Sequence, residues 1–242
     1  MWEFELAGDT FDLDELVLSM GETDPSIRKT KHGYVLQSAA FNQLDSHKDV
    51  ETSANAMLFV LSGICAVLLS TRRPIQVAAI SRVEPDMPRQ TFVTVSDGFH
   101  ARATMTMTVT NPDGSVEVTR PADPAVDWLQ LATANTQIGR VFRLLNDPHL
   151  TWGAMYKIYE IIVGGTGQIA DQGWASQAAM KRFKRSANSP SAAGDHAQHG
   201  VQSTEPPSSA MAQSEAKALI DTLVHNWLRA TAYRRKLRST AA

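Results

Sequence analysis

The sequence predicts an α+β fold in two unlike parts: an antiparallel sheet with one long buried helix over residues 1–120, then an all-α four-helix bundle over residues 121–242. Three observations carry this. Runs rich in β-branched and aromatic residues recur through the first part and stop near residue 120. Beyond it, apolar residues return at helical spacing, and four of the five tryptophans lie there. The charge changes sign as well. Residues 1–120 hold 16 Asp and Glu against 10 Lys and Arg, a net of −6, whereas residues 121–242 hold 9 against 13, a net of +4.

Taken in order, residues 2–6 read as an opening strand, followed by a turn at Gly8 and Asp9. Residues 12–20 are acidic and apolar, suiting either a short helix or a second strand. After a turn over residues 21–25, residues 33–38 read as a strand. Residues 49–70 then show the i, i+3, i+4 rule in Met57, Leu58, Leu61, Ile64, Cys65 and Leu68. Thr52 and Ser53 are the candidate caps, with Asp49 and Glu51 at the positive end of the helix dipole. The opposite face is also apolar, so this helix is expected to be covered on both sides. Its apolar core of 14 residues, 56–69, is shorter than the ~20 that a bilayer requires. The start of the chain lacks the basic-then-apolar pattern of a signal peptide. A cytoplasmic protein without membrane contact is the expectation, with Cys65 a buried structural thiol.

Residues 75–83, 90–96 and 99–110 follow as strands. In the last, the alternation of Met105, Met107 and Val109 with threonines predicts a half-buried strand. Asn111, Pro112, Asp113 and Gly114 make a turn, and residues 115–119 return as its hairpin partner.

At the boundary, Asp123 before Pro124 has the pattern of an N-cap with proline at the first helical position. One helix is expected over residues 123–146, ended by Asn146, Asp147 and Pro148. A second over residues 150–163 places Trp152, Met155, Tyr156, Tyr159 and Ile162 on one side. Glycines break it at 164–167. A third runs over residues 169–186, and a Ser, Pro, Gly and Ala-rich loop over 188–209 leads to the last, over residues 213–238.

Several motifs bear on function. The glycines of residues 163–170 match a G-x-x-G-x-x-A pattern used for pyrophosphates, but that pattern needs a preceding strand. Here a helix precedes it, so a helix-to-helix turn is expected and no cofactor. Asp195, His196 and His199 lack the further strong ligands that a metal site needs. Lys181, Arg182, Lys184 and Arg185 form a basic cluster at a helix C-terminus, where they either complement the dipole or contact phosphates. Arg234 and Arg235 belong to a second basic run. Arg185, Asn188, His196 and His199 form the candidate catalytic set, because a histidine titrates near neutral pH and an arginine stabilises phosphate charge.

A helical bundle with Arg185, Asn188, His196 and His199 ahead of its last helix resembles the HEPN superfamily over residues 123–240. That resemblance implies a metal-independent ribonuclease or an inactive partner of one. The family's motif places its histidine four to six residues after the arginine. Here His196 lies 11 positions after Arg185, and His199 lies 14 after it. The resulting expectation is a nucleic-acid-associated helical module acting on RNA or another polyanion, attached to a strand-rich part for sensing or assembly. The rival is a non-enzymatic protein–protein interaction subunit of a bacterial assembly, with a protein partner or a homo-oligomer.

Overall fold

The computed structural model describes the chain apart from residues 45, 72, 84–89, 94–106, 111, 112, 114, 168, 195, 196, 198–207, 241 and 242. The fold is α+β, and the chain divides into two compact units, Met1–Ala134 and Asn135–Ala242.

In the first unit, β1 (Trp2–Ala7) is followed by α1 (Thr10–Met20), β2 (Ser26–Thr30), β3 (Gly33–Gln37) and a 3-10 turn at Ala39–Gln43. Then come α2 (His47–Leu68), β4 (Gln76–Arg82), β5 (Gln90–Val93), β6 (Met107–Thr110), β7 (Val116–Thr119) and α3 (Ala125–Ala134). Five strands form one antiparallel sheet in the order β2-β3-β1-β4-β5. Period two in β1 buries Trp2, Phe4 and Leu6 on one face, and register sets Phe4 opposite Leu36 on one side and Ile80 on the other. Burying each such side chain contributes about 1.5–3 kcal/mol.

The segment left open between helix and strand is the helix α1. Asp9 decides it, because its carboxylate accepts from Phe11 N (3.0 Å) and satisfies a first-turn donor. α2 starts earlier than expected. Ser46 is its N-cap residue, while Thr52 lies inside the helix, its hydroxyl donating back to Lys48 O (2.7 Å). From Leu61 to Ala66 every residue of α2 is buried. By length and mean hydropathy α2 is long and apolar enough to cross a membrane, and 56% of its most apolar window is buried inside the fold. Ser62 ties it to the start of β4, donating to Leu58 O and accepting from Ile75 N, both at 2.8 Å.

The 99–110 strand is described only as β6. It pairs with β7 as a separate two-stranded sheet. It is not half-buried: all described residues of both strands are exposed, Met107, Val109, Val116 and Val118 among them.

The single helix expected over residues 123–146 is two. Asn135 accepts from Gln137 N (2.9 Å) and Ile138 N (3.4 Å) through its side chain, capping a new helix. Asp123 does not cap; it accepts from Arg120 N (2.7 Å) within a turn. α3 packs against α2 and α1, so the unit boundary falls one helix after the composition shift.

The second unit holds α4 (Thr136–Leu145), α5 (Trp152–Thr166), α6 (Gln177–Ala187), a single turn α7 (Pro190–Ala193) and α8 (Gln213–Thr240). α5 packs on α4, α6 and α8. Gly164 and Gly165 do not break α5. A Cβ at Gly165 would meet Trp227 Nε1 at 3.7 Å, an ordinary contact, so the helix runs on against α8 and stops at Gly167, whose φ of +76° suits glycine. A helix, not a strand, therefore leads into the G-x-x-G-x-x-A pattern, and two of its glycines are helical. Residues 169–175 are turns and bends, and α6 begins only after Ser176, whose hydroxyl accepts from Ala179 N (3.1 Å).

Candidate nucleic-acid interface

α6 positions most of the candidate residues that the structure describes. Met180, Phe183, Ser186 and Ala187 are buried, at the i, i+3, i+4 spacing that turns one stripe inward. The four basic residues of the helix are thereby split between two faces.

Arg182 goes to one face alone and is held there by structure. Its guanidinium donates to Ser209 O (2.9 Å), Ala210 O (2.9 Å) and both carboxylate oxygens of Glu215 (3.1 and 3.0 Å). Glu215 also accepts from Ala212 N (2.8 Å) at the start of α8. That backbone donor, then Arg182, hold its carboxyl below the usual range. Ser186 completes the attachment, its buried hydroxyl accepting from Met211 N (2.8 Å). The donors that a phosphate contact at Arg182 would use hold the entry of α8.

Lys181, Lys184 and Arg185 sit at i, i+3 and i+4, a spacing that makes neighbours on a helix surface. Lys181 is exposed, and Lys184 and Arg185 are partly exposed. The Lys184 ammonium lies 5.9 Å from the centroid of the Tyr159 ring, within cation–π range.

Asn188 is the C-cap of α6, its N–H donating to Lys184 O (3.1 Å). Its Oδ1 is buried and accepts no hydrogen bond among the described residues. Arg185 and Asn188 are thus brought to the same end of α6. His196 and His199 lie outside the described residues, as does Asp195, so their approach to Arg185 is not part of this geometry. The described residues on either side of that stretch are fastened to α6. α7, capped at Gly194, packs on it, and residues 209–211 are bonded to Arg182 and Ser186. Arg234 and Arg235 are exposed on α8. Among the described residues, no group of three His, Cys, Asp or Glu could hold a metal ion.

Two residues were missed by sequence reasoning. Tyr156 and Tyr159 were placed on one side of their helix with Trp152, Met155 and Ile162, yet those three are buried and both tyrosine rings are partly exposed. They lie 5.7 Å apart and both rest on buried Phe183 of α6, at 6.3 and 5.9 Å between centroids. The available signal was their i, i+3 spacing around exposed Lys157, together with a polar atom on each ring that a dry core would have to satisfy.

Compared with known proteins, the chain matches no family model, no curated protein and no solved structure.

Proposed function

We propose that Asn135–Ala242 is a nucleic-acid-associated helical module, and that the strand-rich unit serves sensing or assembly. The observation that carries this is the ridge of Lys181, Lys184 and Arg185. It stays solvent-facing while its neighbour Arg182 is consumed by structure. The unit around it also favours a polyanion. It holds 13 Lys and Arg against 7 Asp and Glu, a net of +6, whereas Met1–Ala134 holds 10 against 18, a net of −8.

The ribonuclease form of this reading assigns chemistry to four residues. One of His196 and His199 takes the proton of a ribose 2′-hydroxyl while its oxygen attacks phosphorus. The bond from phosphorus to the 5′ oxygen breaks, and the other histidine, protonated, supplies a proton to that leaving oxygen. Arg185 offsets the charge developing on the phosphoryl oxygens, and Asn188 donates a side-chain N–H beside it. RNA cleavage by the wild type is compared with His196→Ala and His199→Ala. Loss of cleavage in either variant supports the assignment. Equal cleavage by all three, or none by any, removes the nuclease and leaves only binding to be tested.

One observation favours the rival, a non-enzymatic interaction subunit: the exposed apolar residues of the β6–β7 hairpin. That reading expects Val116→Lys with Val118→Lys to dissolve a complex or oligomer measured by light scattering, with RNA binding unchanged.

A further inference from the structure

Nucleic-acid surfaces of two kinds leave different signatures in a protein. A duplex offers only phosphates and groove edges, so a duplex binder needs cations. A single strand offers base faces as well, so its binder interleaves cations with exposed aromatic rings. The α5–α6 surface is of the second kind. Tyr156 and Tyr159 are partly exposed rings 5.7 Å apart, and buried Phe183 holds both from beneath. Because the rings are braced, little side-chain freedom is left to lose when a base stacks on them. Lys184 stands over Tyr159, and Lys181 and Arg185 continue the ridge at helical spacing. Neither phenol hydroxyl makes a hydrogen bond among the described residues, and a phenol hydroxyl can pair with a ribose 2′-hydroxyl as donor or acceptor. Lys157 is exposed on α5 beside them, and exposed Glu160, four residues from Tyr156, is the opposing charge on the same helix.

We infer that this surface is a single-stranded RNA platform: bases stack on Tyr156 and Tyr159, and the phosphates between them lie along Lys184, Lys181 and Arg185. It rests on the reading above that this unit binds nucleic acid, and it goes beyond it by fixing the strandedness of the ligand and the residues that meet the bases. Arg182, although it lies among the cations in sequence, has no part in it.

The test is a fluorescence-anisotropy titration of the full chain with a labelled oligouridine, alongside an RNA duplex and the matching single-stranded DNA. Tyr156→Leu and Tyr159→Leu are each expected to bind the single strand about tenfold more weakly, equivalent to about 1.4 kcal/mol. Tyr159→Phe retains the stacking face and keeps most of the affinity, which guards against a loss due to misfolding; thermal melting of each variant checks the same point. Lys184→Gln is expected to flatten the salt dependence by about one charge. Glu160→Gln is expected to tighten binding. The duplex should bind at least tenfold more weakly than the single strand, and DNA more weakly than RNA.

If the wild type binds RNA but the leucine variants bind equally well, or if the duplex binds as well as the single strand, this platform is refuted and the broader reading stands. DNA binding equal to RNA refutes the ribose contact, and with it the assignment to RNA. If the wild type binds no nucleic acid, both readings fall.

Discussion

Each unit of this protein contains a lysine set against a tyrosine, and the two pairs are finished differently. In the first unit the Lys29 ammonium lies 5.2 Å from the Tyr34 ring, and Asp14 closes the group. Its carboxylate accepts from Lys29 Nζ at 2.7 Å and from the Tyr34 hydroxyl at 2.9 Å. In the second unit the Lys184 ammonium lies 5.9 Å from the Tyr159 ring, and no carboxylate among the described residues completes the group. A cation, a ring and an acid satisfy one another. A cation and a ring without the acid keep their capacity for an anion and a flat apolar face. The same two side chains are therefore joined by an acid in one place and, among the described residues, lack one in the other.

Changes that separate structure from binding test that contrast. The largest effect is expected from Phe183→Ala, which removes the floor beneath Tyr156 and Tyr159 and should cost about 3–5 kcal/mol in chemical denaturation. Phe4→Ala, equally buried in the sheet, should cost about the same. Only the first should also impair RNA binding by the remaining folded protein; equal impairment by both would erase the distinction. Ser186→Ala comes next. It leaves the buried Met211 N–H without its acceptor, and about 1–3 kcal/mol is expected from the same measurement.

Asp14→Asn opens the closed pair. Burial acts to raise the Asp14 carboxyl, but hydrogen bonds from Lys29 and Tyr34 and the charge of Lys29 outweigh it, so its pKa lies below the ordinary 3.8. A lowered folded value means that the stabilisation is present above the unfolded value and is lost as pH falls through the folded one. Wild type should melt above Asp14→Asn at neutral pH, by no more than about 1 kcal/mol for so exposed a group, and the gap should close in acid below pH 3.8. A gap that persists there contradicts the assignment. Smallest in stability is Lys181→Glu, which brings an acid to the open pair at i, i+3 from Lys184. It should change stability by less than about 0.5 kcal/mol while weakening RNA binding.

Much of the fold was legible because its signals are local. The i, i+3, i+4 rule found α2, α5 and α8, and period-two burial followed the alternation of Trp2, Phe4 and Leu6. What was not legible depended on which partner a polar side chain would find. Asn135 looked like one more helical residue until its side chain capped α4. Gly164 and Gly165 looked like a break, yet α5 passes through them where it packs on α8. Arg182 was indistinguishable from Lys181 and Lys184 in sequence, since its role depends on Glu215, 33 residues away. Of the candidate site, the basic cluster was found from sequence, but the rings beside it were not. Their exposure depends on how α5 and α6 are placed, which no spacing within either helix records.

The position of β1 has a consequence for synthesis. Of the five strands of its sheet it comes first in the chain, yet it lies at the centre, paired with β3 on one side and β4 on the other. A ribosome adding about 5–20 residues per second must pass Gln37 before the first neighbour is complete and Arg82 before the second. Throughout that interval Trp2, Phe4 and Leu6 lack one flank, and α2, the one helix among the described residues that is both long and apolar enough to cross a membrane, is made within it. The nascent chain therefore exposes these apolar side chains before β4 can close the second flank of β1.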